Sequence, residues 1–178
     1  MKKIMTIALF ITLIIILGGC MDRRKQLRNE LGSEQEMADK VMEEISLALD
    51  NKDSDAIKEM FSLQARKNTT ELQQQILDLI SFYKGKMTSY EGHISSSNVR
   101  EKGVNVSKYI QGMYRLCTEK ENYQVHFEYR PISEDNPDEI GINSLELVTE
   151  ETYQKAVDSE GSYKWQGSPN ESGVYMKE

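Results

Sequence analysis

The chain has 178 residues, two cysteines and a net charge of −7, with 29 acidic against 22 basic side chains. That length suffices for one domain with a core, and two cysteines are too few for a disulfide framework. The acidic balance is the wrong sign for nucleic acid, which is excluded as a partner.

Lys2 and Lys3 precede an apolar run from Ile4 to Leu17, broken only by Thr6 and Thr12. A positive start, a short apolar stretch and small residues before a cysteine are the layout of an export signal. The run is too short to span a bilayer, which takes roughly 20 apolar residues. Leu17-Gly18-Gly19-Cys20 resembles a lipobox at each position. The resemblance implies cleavage after Gly19 and a diacylglyceryl thioether on Cys20, with membrane attachment through that lipid. The predicted organisation is a cleaved signal peptide (1–19), a lipidated Cys20 with its tether (20–32) and a single domain (33–178). Localisation follows: the membrane, facing outside the cytoplasm. With Cys20 acylated, Cys117 has no intrachain partner.

The tether is charged, and Arg23, Arg24, Lys25 and Arg28 form its basic cluster. Ser33 with Glu36 makes a capping-box pattern, after which Met37, Val41, Ile45, Ala48 and Leu49 recur at helical spacing. Asp53 or Ser54 is expected to cap a second helix with Ala56, Ile57, Met60 and Phe61 on its apolar face. A third follows Asn68 to Thr70, with Leu72, Ile76, Leu79, Ile80 and Tyr83 in one stripe and Gly85 as its stop.

From Tyr90 the period changes to two. Val104, Val106, Ile110, Tyr114 and Leu116 share one parity, and Tyr123, Val125, Phe127 and Tyr129 alternate with Gln124, His126, Glu128 and Arg130. Residues 119–122 read as a hairpin turn. After Pro131 and the acidic loop Glu134 to Glu139, another strand runs from Ile140 to Val148, with Gly141 marking a bulge. Glu151 to Val157 reads as a turn or two of helix, and the glycine-containing tail beyond as loop, pinned by Trp165, Val174 and Tyr175. The fold class is therefore α+β: three N-terminal helices packed on one side of a curved, mainly antiparallel sheet.

The parity rule places Tyr114, Tyr123, Phe127 and Tyr129 inward and turns His126 and Glu128 to water or to a partner. Glu91 and His93 share a parity on a strand too polar to assign a face. Two histidines and one remaining thiol fall short of a structural zinc site. The run Glu134-Asp135-Asn136-Pro137-Asp138-Glu139 lacks the spacing and central glycine of a calcium loop. No phosphate loop, nucleophile elbow or dinucleotide fingerprint is present. The reading assigns no catalytic residue, no metal and no cofactor. Tyr83, Tyr114, Phe127 and Tyr129 are its candidates for lining a pocket, against the simpler reading that they are core.

Residues 48–53, Ala-Leu-Asp-Asn-Lys-Asp, run into Ile57-Lys58-Glu59-Met60-Phe61-Ser62 and Ala65. With Ile140-Gly141-Ile142-Asn143-Ser144-Leu145 and the closing Gly173-Val174-Tyr175, they resemble a family of uncharacterised Gram-positive lipoproteins, catalogued only as a domain of unknown function. The likeness runs from about Glu34 to the C-terminus and rests on structural motifs. It implies a fold similar to the nuclear-transport-factor-2-like, cystatin-like cone, whose members include isomerases, dehydratases, small-molecule binders and proteins that only mediate contacts. Function does not follow from such a fold. The expectation is a lipid-anchored module binding a small molecule or an envelope protein. The alternatives are an isomerase- or hydrolase-type enzyme with an inward carboxylate, and a homodimer formed through a sheet patch around His126, Met113 and Arg115.

Overall fold

The computed structural model describes residues 33–101, 104–159, 162–166 and 171–177. The expected signal peptide (1–19), Cys20 and the expected tether (20–32) lie outside the described residues. A helix (α1) occupies residues 33–51, and residue 33 is already helical where the description starts. Short helices follow at Ser54–Met60 (α2) and Leu63–Asn68 (α3), then Leu72–Phe82 (α4). Strands β1 (Met87–Glu101), β2 (Val104–Thr118), β3 (Asn122–Ser133) and β4 (Gly141–Thr149) come next, then α5 (Glu150–Ala156) and β5 (Gly173–Lys177).

The strands form one five-stranded sheet in chain order, β1-β2-β3-β4-β5. The first four pair antiparallel as a meander, and β5 lies parallel to β4. The α+β reading is what the structure has: N-terminal helices on an open, mostly antiparallel sheet. The helical region is more divided than its periodicity predicts. Asp53 caps α2, accepting from the Ala56 N–H at 2.9 Å, but that helix stops at Met60. Phe61 is extended and bridges Ile142, and Ser62 starts α3 by accepting from the Ala65 N–H at 3.0 Å. This crossing explains Gly141, whose φ is +125°: a Cβ there would lie 2.7 Å from the Ser62 nitrogen. The bulge itself sits two residues on, at Asn143, between the pairs Glu128–Ser144 and Tyr129–Ile142.

One apolar core joins the helices to one sheet face. Residues 37–51 contribute Ala38, Val41, Met42, Ile45, Ala48 and Leu49, and α4 contributes Leu72, Ile76 and Leu79. The strands contribute Ile110, Tyr114, Leu116, Tyr123, Val125, Phe127, Leu145 and Leu147, the inward parity of β2, β3 and β4. Phe127 is paired in register with Gly112, and a Cβ on Gly112 would lie 2.3 Å from the Phe127 ring. Glycine opposite an aromatic lets the ring lie flat over the neighbouring strand, where Phe127 stacks on Tyr114 at 5.7 Å.

The opposite face departs from expectation. His126 and Glu128 do not face water: they are 2 % and 0 % exposed. Ser144, Glu146 and Val148 on β4 are buried with them. The cover is α5 and the segment 162–166. Trp165 stacks on the His126 ring at 4.8 Å, and Tyr153 and Tyr163 pack against Trp165. Glu146 accepts from the Gln166 N–H at 2.6 Å, and Gln124 donates to Glu150 at 2.7 Å. A sheet with one wet face is therefore a correct description only of its β1 side, where Glu91 and His93 are exposed. Cys117 is a free, half-buried thiol. Among the described residues no helix is long and apolar enough to cross a membrane.

Candidate functional site

At the end of the sheet where β3 and β4 bulge, a cleft of about 210 Å³ opens between the strands, α3 and the 3₁₀ turn Pro137–Glu139. Three local features build it. Pro131 lies within the β3 irregularity, where Arg130 and Pro131 stand opposite Tyr109 of β2, which brings Tyr109 and Arg130 to the same end. The bulge at Asn143 lets its side chain reach back across to β3. On the far wall, α3 brings Gln64 and Asn68, held there by Lys67 paired with Asp138 at 2.7 Å and by Asn136 donating to Gln64 at 3.1 Å.

Glu128 forms the floor and is fully buried. Asn143 donates to one of its oxygens at 3.3 Å and Gln111 to the other at 3.4 Å. Asn143 is itself oriented by Ser172, which donates to its carbonyl at 2.8 Å. Among the described residues, no lysine or arginine forms an ion pair with Glu128. Arg130, which lines the cleft, is engaged with Glu139 at 2.9 Å and lies 5.8 Å from the Tyr109 ring centroid.

Tyr109 completes the floor. Its hydroxyl is buried close enough to feel the Glu128 charge, but makes no hydrogen bond of good geometry. Burial first, and then Glu128, push its phenol far above the ordinary range, so it stays protonated. The Ser144 hydroxyl, on the residue paired in register with Glu128, is likewise buried with no partner. Native structures rarely leave buried polar atoms unsatisfied. Chemically, the cleft offers an unpaired carboxylate and a neutral phenol behind a rim of amides and hydroxyls.

Of the residues singled out in the sequence, Tyr129 lines this cleft. Tyr83, Tyr114 and Phe127 lie in the core, 7 %, 1 % and 0 % exposed. Tyr83 donates to Asp50 at 2.8 Å and Tyr114 to Asp39 at 2.8 Å, so each buried phenol is tied to α1. Glu128, Tyr109 and Arg130 were not singled out as pocket residues, because polar parity reads as water-facing. The sequence did carry a signal against that: Tyr153, Tyr163 and Trp165 lie in a polar tail and need a surface to bury against. His126 is outside the cleft, and burial pushes its imidazole down to about 4, with Glu128 opposing the shift. A shallower, more open groove of about 700 Å³ lies between Glu91, His93, Arg115 and the aromatic cover. Among the described residues no group of three or more His, Cys, Asp or Glu is placed to hold a metal ion.

No curated protein matches the chain. A family model does, over residues 44–150, which run from the middle of α1 to the start of α5 and include most of the cleft. That match covers more than half of the chain, and the protein therefore belongs to the family described as Domain of unknown function (DUF5104).

Proposed function

We propose that the protein is a lipid-anchored module outside the cytoplasm that binds a small ligand in the Glu128 cleft. The lipobox Leu17-Gly18-Gly19-Cys20, behind two lysines and an apolar run, supports the anchor. Two acyl chains on Cys20 make a far stronger attachment than one, each buried methylene adding about 0.8 kcal/mol. The acidic body then stands off an anionic surface instead of lying on it. Helices followed by a meander also match the order of elements in cystatin-like cones, a fold whose members often bind small molecules.

The observation that carries the binding reading is Glu128 itself. A fully buried carboxylate that has two long amide hydrogen bonds, a phenol beside it and, among the described residues, no cation paired to it is expensive to maintain. Such a group is retained where it meets something.

Cys20→Ser is expected to move the protein from the membrane fraction to the soluble one, or to leave it unprocessed. Unchanged fractionation and processing would refute the anchor. For the cleft, the test is a thermal-shift screen of the full chain in detergent micelles against envelope metabolites, peptides and divalent ions. A ligand at a hundredfold excess over its Kd adds about 2.7 kcal/mol, a readable rise in Tm. Silence across the screen would count against small-molecule binding and favour an envelope protein or a second copy as partner.

A further inference from the structure

We infer that the cleft takes a small organic monocation with N–H donors, its ammonium or guanidinium group seated on Glu128. The inference rests on the reading of the cleft as a binding site and adds the chemical class of the ligand. Among the described residues, three charged side chains line the cleft: Glu128, Glu139 and Arg130. Arg130 and Glu139 neutralise each other at 2.9 Å, which leaves the single negative charge of Glu128 to be matched. Its two protein donors are neutral amides at 3.3 and 3.4 Å, near the long limit of a hydrogen bond. A cationic N–H donor forms shorter and stronger bonds to a carboxylate than an amide does.

The surroundings fit the same guest. The Tyr109 hydroxyl lies beside Glu128 with no hydrogen bond of good geometry, and its oxygen can accept from a second N–H of an ammonium or guanidinium bound there. Tyr109 and Tyr129 place two aromatic side chains among the lining residues, and an aromatic face suits a cation. A volume of about 210 Å³ restricts the guest to a small group or to the end of a longer one. An anion would meet the buried carboxylate at close range, and like charges so placed reject a partner. A neutral polyol would answer the hydrogen bonds but leave the charge unmatched.

The test uses the full chain in detergent micelles and four probes: butylguanidinium, butylammonium, N-butylurea and pentanoate. Affinity is read by calorimetry, and the site by NMR of labelled tyrosines. Both cations are expected to bind about tenfold or more tightly than the urea, shifting Tyr109 and weakening as salt rises. Glu128→Gln should remove that advantage, weakening the cations by about tenfold more than the urea, and Tyr109→Phe should weaken the cations severalfold. If Glu128→Gln does not fold, the probe order, the salt dependence and Tyr109→Phe still decide. Equal or tighter binding of the urea or pentanoate, with Tyr109 shifting, overturns the cation and keeps the cleft as a binding site. Cation binding that leaves Tyr109 unmoved, or survives Glu128→Gln unchanged, places the guest elsewhere and overturns the inference. No binding by any probe and no tyrosine shift overturn the inference and count against the cleft reading too.

Discussion

Phe127→Ala is expected to lower folding stability by about 3–5 kcal/mol, read as a reduced midpoint in urea denaturation. The ring is fully buried at the centre of β3, stacks on Tyr114 and covers Gly112 on the next strand. Deleting it removes apolar area and leaves a void that Gly112, having no side chain, is unable to fill. Tyr114 loses its stacking partner and keeps its bond to Asp39 and its edge contact with Tyr90. A loss under about 1 kcal/mol would mean that the helices do not cover this face of the sheet.

The second large effect is a loss of stability in mild acid that depends on His126. In the folded protein burial holds the imidazole neutral, pushing its pKa down to about 4, whereas the unfolded chain protonates it near 6.5. Between those values the unfolded state binds more protons, so stability falls as pH falls. The full contribution is about 3 kcal/mol, and about 2 kcal/mol of it is gone by pH 5. Comparing denaturation at pH 7.5 and pH 5 reads this before most carboxylates titrate. His126→Phe keeps a ring against Trp165 and should flatten the difference; an unchanged difference would show that His126 is not buried as a neutral group. On the sequence reading, with His126 facing water, neither substitution nor acid should have mattered there.

That reversal shows what local pattern resolves. The strands β2 and β3 were legible because alternation is a property of neighbouring residues. Val125 and Phe127 must share a face whatever else the chain does. The cap at Asp53 was legible for the same reason. The split between α2 and α3 was not, because Phe61 leaves the helix to pair with Ile142, some eighty positions on. β5 was missed as a strand: five residues opening on glycine, with half-buried and exposed positions at the end, signal little until β4 lies beside them.

The cleft was legible only in part. Tyr129 was named from its parity, but it lines the site with Glu128, a neighbour that the same parity rule sent to the solvent. A carboxylate between aromatic residues states which face it occupies, not whether that face is covered. The cover over His126 and Glu146 on that face comes from α5 and residues 162–166, and the far wall of the cleft from α3, both distant in sequence.

The sequence by itself determined the α+β order and the inward parity of the strands, and it alone carries the resemblance to a lipobox at Cys20, since each depends on contiguous residues. Only the tertiary structure decided that the outer face of β3 and β4 is buried, that β5 lies beside β4, and that Glu128 sits at the floor of a cleft with no ion-pair partner among the described residues. Burial is a property of what folds over a residue, and segments far along the chain supply it.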